Sequence, residues 1–244
     1  MGTYQYDENF MRLTAQNRQS ATIVVDEVLR HIEVSSVVDF GCAEGAWLAE
    51  WRERGVQDVV GLDGHYVDID RLVVPRSSFQ SVDLSTEIDL GRRFSIVQSL
   101  EVAEHIEASR AETFVGNLAR HGDVILFSAA PPGQGGENHI NEQPYDYWRE
   151  MFARHGYDAY DGLRTTIAAH GGRVQPWYRY NIFLYATTSG ADALSESLRA
   201  GRVPNGEPLS DVSPPSYKLR KQLIKRLPRA LVEAGAKIKS KANA

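Results

Sequence analysis

Three short stretches hold residues whose types and spacing could do chemistry. In VVDFGCAEGAW, residues 37–47, an apolar run ends in Asp39 and breaks into Gly41, Cys42, Ala43, Glu44 and Gly45. Strand, acid, Gly-x-x-x-Gly, helix is a nucleotide-binding arrangement, because small residues let the backbone approach a ligand at a helix N-terminus. A dinucleotide fingerprint would read Gly-x-Gly-x-x-Gly, with a pyrophosphate on the helix dipole. Here glycine stands only at 41 and 45, and the Glu44 carboxylate would repel a pyrophosphate. In SLEVAEHI, Glu101, Glu104 and His105 lie together. A neutral imidazole is the side chain best matched to proton removal near pH 7, so His105 is a candidate base; alternatively Glu101 and His105 bond one another and hold a loop. The third stretch, GGENHINEQPYDYWREMF, presents His139, Asn141, Glu142 and Gln143. Such side chains donate and accept in fixed directions and suit a hydroxyl-rich molecule. They also suit capping of a helix that starts near Pro144.

These residues need a scaffold, and the surrounding pattern supplies one. Residues 16–33 carry apolar side chains at helical spacing, and SSVVDF is a short β-branched strand. GAWLAEWRERG predicts a helix closed by Gly55, DVVGLDG a strand ending in Asp63, and FQSVDLS a third strand carrying Asp83. RFSIVQSL is a fourth strand, residues 108–121 a helix, and GDVILFSAAPP a fifth strand. Alternating strands and helices imply a parallel sheet covered on both faces, with ligands beyond the carboxyl ends of its strands. Later, YDYWREMFARHG predicts a helix and YRYNIFLYATT a strand of alternating character, giving a closing antiparallel, hairpin-like pair with its other member near residues 157–167. Tyr147, Trp148 and Phe152 fit a core face.

The first stretch resembles motif I of the class I S-adenosylmethionine-dependent methyltransferases, Asp/Glu-x-Gly-x-Gly-x-Gly. Asp39, Gly41 and Gly45 match, and Ala43 replaces the middle glycine with another small residue. The resemblance implies a Rossmann-like α/β fold: a mostly parallel seven-stranded sheet with helices on both faces and an antiparallel last strand. It implies S-adenosyl-L-methionine as cofactor, held at Asp39, Gly41, Ala43 and Gly45. It also places Asp63 on the ribose hydroxyls, Asp83 at the adenine amino group, and Leu100 and Glu101 beside the transferring methyl. A ligand carrying an ammonium and a sulfonium tolerates Asp39 and Glu44. The third stretch is similar to a segment of methyltransferases from bacterial glycan and natural-product pathways. That likeness implies a small-molecule acceptor at Asn141, Glu142 and Gln143, with His139 competing with His105 as base. The expected activity is O-methylation of a sugar or glycoconjugate. The rivals are a noncatalytic methyltransferase-like binding subunit and a nicotinamide oxidoreductase, which lacks its third glycine and a Tyr-x-x-x-Lys pair.

Bulk properties narrow the rest. The chain has 244 residues and 42% hydrophobic content, enough for one large core. The expected division is a methyltransferase domain over 1–201, a Pro/Gly/Ser-rich linker over 202–216 and a basic amphipathic tail over 217–244 broken at Pro228. The tail holds nine Lys+Arg and one Asp+Glu, net +8, and the remainder 18 and 31, net -13. An acidic body argues against nucleic acid. The apolar stripe Leu219, Leu223, Ile224, Leu227 and Leu231 points to a protein contact or an anionic membrane surface. With one cysteine, no long apolar run and no signal-peptide pattern at the N-terminus, a cytoplasmic protein is expected, peripheral at the membrane if the tail binds lipid. Metal binding through Glu101, Glu104, His105 or His139 is a third reading of those residues, but the spacing matches no standard metal motif, so no metal is expected.

Overall fold

The computed structural model describes residues 18–242, which leaves residues 16 and 17 of the first expected helix outside it. Helix α1 (Arg18–Leu29) buries Ala21, Val24, Val25 and Val28, a helical repeat that forms one apolar face. Seven strands follow: β1 (Ser36–Phe40), β2 (Asp58–Asp63), β3 (Phe79–Ser81), β4 (Ile96–Leu100), β5 (Val124–Ser128), β6 (Asp158–Tyr160) and β7 (Phe183–Ala186). They form one sheet in the order β3-β2-β1-β4-β5-β7-β6. β1 to β5 run parallel, and β7 is antiparallel to both β5 and β6. This is the Rossmann-like sheet the motif resemblance implied.

Helices cover both faces because successive strand residues point opposite ways. Val37, Ile96, Leu126 and Leu184 pack under α1, α2 (Ala46–Glu53) and α5 (Gly162–Ala169), where Val28, Trp51 and Ile167 sit. Val38, Val97, Phe127 and Tyr185 pack under α3 (Ala111–His121) and α4 (Tyr145–Arg154), with Phe114, Trp148 and Phe152. Trp148 and Phe152 are therefore core, as their spacing predicted; Tyr147 is partly buried against the same cluster. The chain's order reverses between β1 and β4, and a sheet of this kind opens its ligand crevice at the carboxyl ends of such a pair.

Two expectations need correction. The YRYNIFLYATT run is not one alternating strand: Pro176 starts α6 (Pro176–Asn181), and only Phe183–Ala186 is strand. All four of those residues are buried, because β7 lies inside the sheet between β5 and β6. The closing pair is not a hairpin either. Its first member is only Asp158–Tyr160, and α5 and α6 intervene before β7.

After α7 (Thr188–Ala191) and α8 (Glu196–Ala200), residues 202–214 of the expected 202–216 linker form a strap on the body and not a free linker, and residues 215 and 216 already belong to the next helix. Val203 N donates to Ala159 O, Leu209 N to Asp146 Oδ1, and the buried Arg164 reaches Ser210 O at 2.9 Å. Pro and Gly composition marks this segment as irregular, but its own backbone groups find partners on the domain. The tail then forms α9 (Pro215–Ile224) and α10 (Arg229–Ala242), separated at Pro228 as predicted. α9 is docked: Lys221 is buried with Nζ 2.7 Å from Asp211 Oδ2, and Arg220 Nη1 donates to Gln134 O at 3.0 Å. Leu219, Leu223, Leu227 and Leu231 face outward, whereas Ile224 turns in towards Gly135. No helix among the described residues is long and apolar enough to cross a membrane.

Candidate active site

The glycine turn is built by its neighbours. Gly41, Ala43 and Gly45 all have left-handed backbones, with φ of 93°, 48° and 86°. A Cβ on Gly41 would come within 2.3 Å of Val102 Cγ2, and one on Gly45 within 2.8 Å of Val74 Cγ2. The bare backbone at 41 thus seats the β4 loop as well as leaving room for a ligand. Asp63, at the end of β2, ties the turn down: its Oδ2 accepts from Ala43 N at 2.7 Å and its Oδ1 from Gly64 N at 2.7 Å. The Tyr66 hydroxyl donates to the same Oδ1.

Buried acids gather here. Burial pushes the Asp39 carboxyl up to about 7, opposed by the Gln98 amide and aided by the nearby Asp63 charge. Burial raises Asp63 too, against its three donors. Glu44 is not a loose carboxylate in the turn, because Arg71 Nε lies 2.9 Å from its Oε1; burial still raises it, with Arg71 pulling it back. Asp83 differs. It is exposed and spends Oδ1 on Ser85 N and Ser85 Oγ, at 2.9 and 2.6 Å, which lowers its pKa and makes it the cap of its own turn.

Beyond β4 the chain enters the acceptor side. Leu100 is buried, and Glu101 follows with a left-handed φ of 58°. Glu101 is held not by His105 but by two amides: Gln134 Nε2 at 2.5 Å and Asn181 Nδ2 at 3.2 Å. Asn181 also donates to Gln134 Oε1 at 2.8 Å and accepts from Tyr145 Oη at 2.8 Å. Sequence reasoning missed Gln134 and Asn181. The available signals were an amide amid glycines in GQGG and a polar residue inside the apolar run YNIFLY.

His105 and His139 do meet, with ring centroids 5.0 Å apart. His105 Nδ1 lies 3.2 Å from Asn138 O; burial, then the neighbouring His139, push its pKa down to about 3. An imidazole with so little proton affinity is a poor base at neutral pH, which corrects the preference for His105. His139 Nδ1 lies 2.9 Å from Glu142 Oε1. Glu142 is largely committed to its own loop, accepting from Gly133 N and Gly135 N at 2.7 Å each; burial pushes it up, but these bonds and His139 leave it below the usual range. Asn141 is buried, with Oδ1 accepting from Gln143 Nε2 at 2.9 Å and Nδ2 left without a partner. The trio expected to read an acceptor is therefore partly loop architecture, because a glycine-rich turn leaves amides that need acceptors. A cleft of about 220 Å³ lies between this loop, including His139 and Ile140, and the tail residues Ile224, Leu227 and Val232. A shallower depression of about 490 Å³ at Arg93, Arg120 and Asp123 lies at the opposite, amino-terminal ends of the strands.

The model of a methyltransferase domain family matches residues 3–155. The chain belongs to that family. Solved methyltransferases share the architecture. DesVI of Streptomyces venezuelae aligns with a TM-score of 0.54 at 15% identity, over 76% of this chain and 100% of that one. The sugar N-methyltransferase KedS8 of a Streptoalloteichus species gives 0.53 at 16%, over 71% and 87%. The magnesium protoporphyrin IX methyltransferase of Synechocystis, with S-adenosylhomocysteine bound, gives 0.51 at 17%, over 77% and 90%. At these identities the likeness is one of fold. A comparison with curated proteins returns no match.

The family's cofactor is S-adenosylmethionine, and the residues of this methyltransferase fit it. Asp63 uses three of about four acceptor positions of a carboxylate, one of them on a hydroxyl, the group a ribose would present. Among the described residues no basic side chain offsets the burial of Asp39 or Asp63, a surrounding suited to a cationic ligand.

Proposed function

We propose that this methyltransferase moves the methyl group of S-adenosylmethionine to an oxygen of a small, hydroxylated acceptor such as a sugar or glycoconjugate. The observation that carries this reading is His139, which lines the cleft and has Nδ1 2.9 Å from Glu142 Oε1. Methyl transfer is an in-line displacement from a good leaving group, so the protein chiefly orients the acceptor and removes its proton. An amine attacks with a lone pair already available, whereas a hydroxyl must lose a proton as it attacks. An imidazole backed by a carboxylate, as His139 is by Glu142, suits the hydroxyl.

In this reading Asp63 holds the ribose and Asp39, Ala43 and Gly45 border the methionine part, while Glu101, fixed by Gln134 and Asn181, stands on the acceptor side. The 220 Å³ cleft is smaller than the roughly 300–1,000 Å³ of drug-sized sites, which favours a small acceptor or one residue of a larger one. The tail helices wall that cleft, so they shape the acceptor entry whatever else they contact. The test is incubation with methyl-labelled S-adenosylmethionine and a panel of free sugars, nucleotide sugars and lipid-linked sugars, with product analysis of the methylated atom. Label on a sugar oxygen supports the proposal. Label on nitrogen alone, or cofactor binding without turnover on any acceptor, overturns it.

A further inference from the structure

We propose that Glu104, His105 and His139 form a binding site for a divalent first-row transition-metal ion at the acceptor side of the cleft. Among the described residues these three are a group whose ligand atoms, one from each, all lie within 4.8 Å of one another. They come from two segments: a single 3-10 turn after β4 supplies Glu104 and His105, and the loop after β5 supplies His139. Motif spacing does not reveal such a site, because 34 residues separate the two histidines.

Glu104 is the second, independent observation. It is fully buried, and neither Oε1 nor Oε2 makes a well-formed hydrogen bond; the backbone N–H groups of Glu104 and Ala130 relieve its charge only in part, and the neighbouring Glu101 carboxylate opposes it. The His139 imidazole has Nε2 4.0 Å from Oε1, too far for a hydrogen bond. A buried carboxylate with no side-chain donor is costly, and buried charges are paired or coordinate metals. Protonation does not resolve the difficulty, since the new O–H would itself need an acceptor. A cation between Glu104 and the imidazoles does.

Both histidines have the outer partners that metal-binding histidines use. A ligating imidazole donates its other ring N–H to a carboxylate or a backbone carbonyl, which fixes the tautomer. His139 directs Nδ1 to Glu142 Oε1 at 2.9 Å, and His105 directs Nδ1 to Asn138 O at 3.2 Å. In His139 this arrangement turns Nε2 towards Glu104 Oε1, 4.0 Å away. Asn138 itself is held in the left-handed region at φ 57°. Two imidazoles and one carboxylate make a nitrogen-rich set that selects manganese, iron, cobalt or zinc over magnesium or calcium, and three protein ligands leave positions open for other oxygens. The role of the ion rests on the proposed function: an acceptor hydroxyl bound there would become more acidic, easing the proton removal that O-methylation requires. Its existence does not rest on that reading.

The experiment therefore reads metal alone. The full-length protein is stripped with chelator and titrated with Mn²⁺ by electron paramagnetic resonance, and separately with Co²⁺ by visible absorption. One Mn²⁺ per chain is expected, together with Co²⁺ bands of mixed nitrogen and oxygen coordination. Glu104→Gln and His139→Ala should each weaken Mn²⁺ binding by about tenfold or more, in line with the 10–100-fold effects seen even for outer-shell changes. His170→Ala, a histidine outside the cluster, should change nothing. Absence of Mn²⁺ and Co²⁺ binding, or binding indifferent to Glu104→Gln and His139→Ala, overturns the proposal. If either variant fails to fold, the Co²⁺ spectrum of the unaltered protein decides: oxygen-only coordination overturns the site. Metal binding without methyl transfer would retain the site and reject the function; methyl transfer without metal binding would do the reverse.

Discussion

Asp63→Asn probes the cofactor site most directly. In the folded protein the Asp63 carboxylate accepts from Ala43 N, Gly64 N and the Tyr66 hydroxyl. A ribose with two adjacent hydroxyls needs two acceptor oxygens, so its arrival requires Tyr66 to yield its place on Oδ1. Asparagine keeps one acceptor and turns the other into a donor that faces an N–H or a hydroxyl. The lost charge-assisted hydrogen bond is worth about 1.5–3 kcal/mol, so S-adenosylhomocysteine should bind about 10- to 150-fold more weakly by calorimetry. One backbone N–H is also left unpaired, at about 1–3 kcal/mol. With a shift of about 2–4 °C per kcal/mol for a domain of this size, Tm should fall by about 2–12 °C. Tyr66→Phe gives the opposite sign: it removes the internal competitor, worth about 0.5–1.5 kcal/mol, and should tighten binding by about 2- to 10-fold. Unchanged affinity in a folded Asp63→Asn variant would refute the ribose assignment. Weaker binding in Tyr66→Phe would show that the hydroxyl serves the ligand and does not compete with it.

Three further outcomes follow from the same geometry. Gly41→Ala imposes a left-handed alanine and an overlap with Val102, together about 2–4 kcal/mol of stability by urea unfolding; adding Val102→Ala should restore the packing part and leave the backbone part. Asp39 has a folded pKa of about 7 against 3.8 when unfolded, so the folded state holds the proton more tightly and stability falls as pH rises from about 4 to about 7. Asp39→Asn should flatten that decline, which amounts to up to about 4 kcal/mol, while weakening the binding of S-adenosylmethionine; an unaltered pH profile would contradict the buried-acid account. Glu142→Gln should speed hydrogen exchange at the Gly133 and Gly135 amides by about tenfold or more and leave cofactor affinity unchanged, measured by amide exchange and calorimetry.

The sequence was most readable where chemistry is local. Asp39, Gly41, Gly45 and Asp63 occupy strand ends, and a strand end is marked by a few adjacent residues. That is why the sheet, its first five strands and the crevice could be predicted. Gln134 and Asn181 act on Glu101 only through the tertiary path that brings a loop and α6 to the end of β4, and no window of sequence contains that path. β7 was misjudged for a related reason: its burial on both faces comes from insertion between β5 and β6, a topological fact. The strap at 202–214 shows the limit of composition, which identified irregular backbone but not the partners at Asp146, Ala159 and Arg164 that hold it. Glu142 was read as a reader of substrate when its nearest obligations were the amides of its own glycine loop.

The distribution of buried acids connects the two halves of the site. Asp39 and Asp63 lie at the ends of β1 and β2, and Glu101 and Glu104 follow β4; burial raises all four. A fold gains nothing in stability by concentrating such groups, since each ionised carboxylate in a dry setting is a liability unless paired. The arrangement becomes intelligible if cations complete it. On the β1–β2 side the complement is a cofactor bearing an ammonium and a sulfonium. A cationic ligand that binds the ionised form must then stabilise the protein more at high pH than at low pH. For Asp39 the change falls around pH 7, because below it the folded state carries the proton that the ligand would have to displace. The rise in Tm on adding saturating S-adenosylmethionine should accordingly be larger at pH 8 than at pH 5.5, and Asp39→Asn should remove most of the difference. An equal rise at both pH values would mean that the acids at the strand ends are spectators, and that the turn at 41–45 holds the cofactor by shape alone.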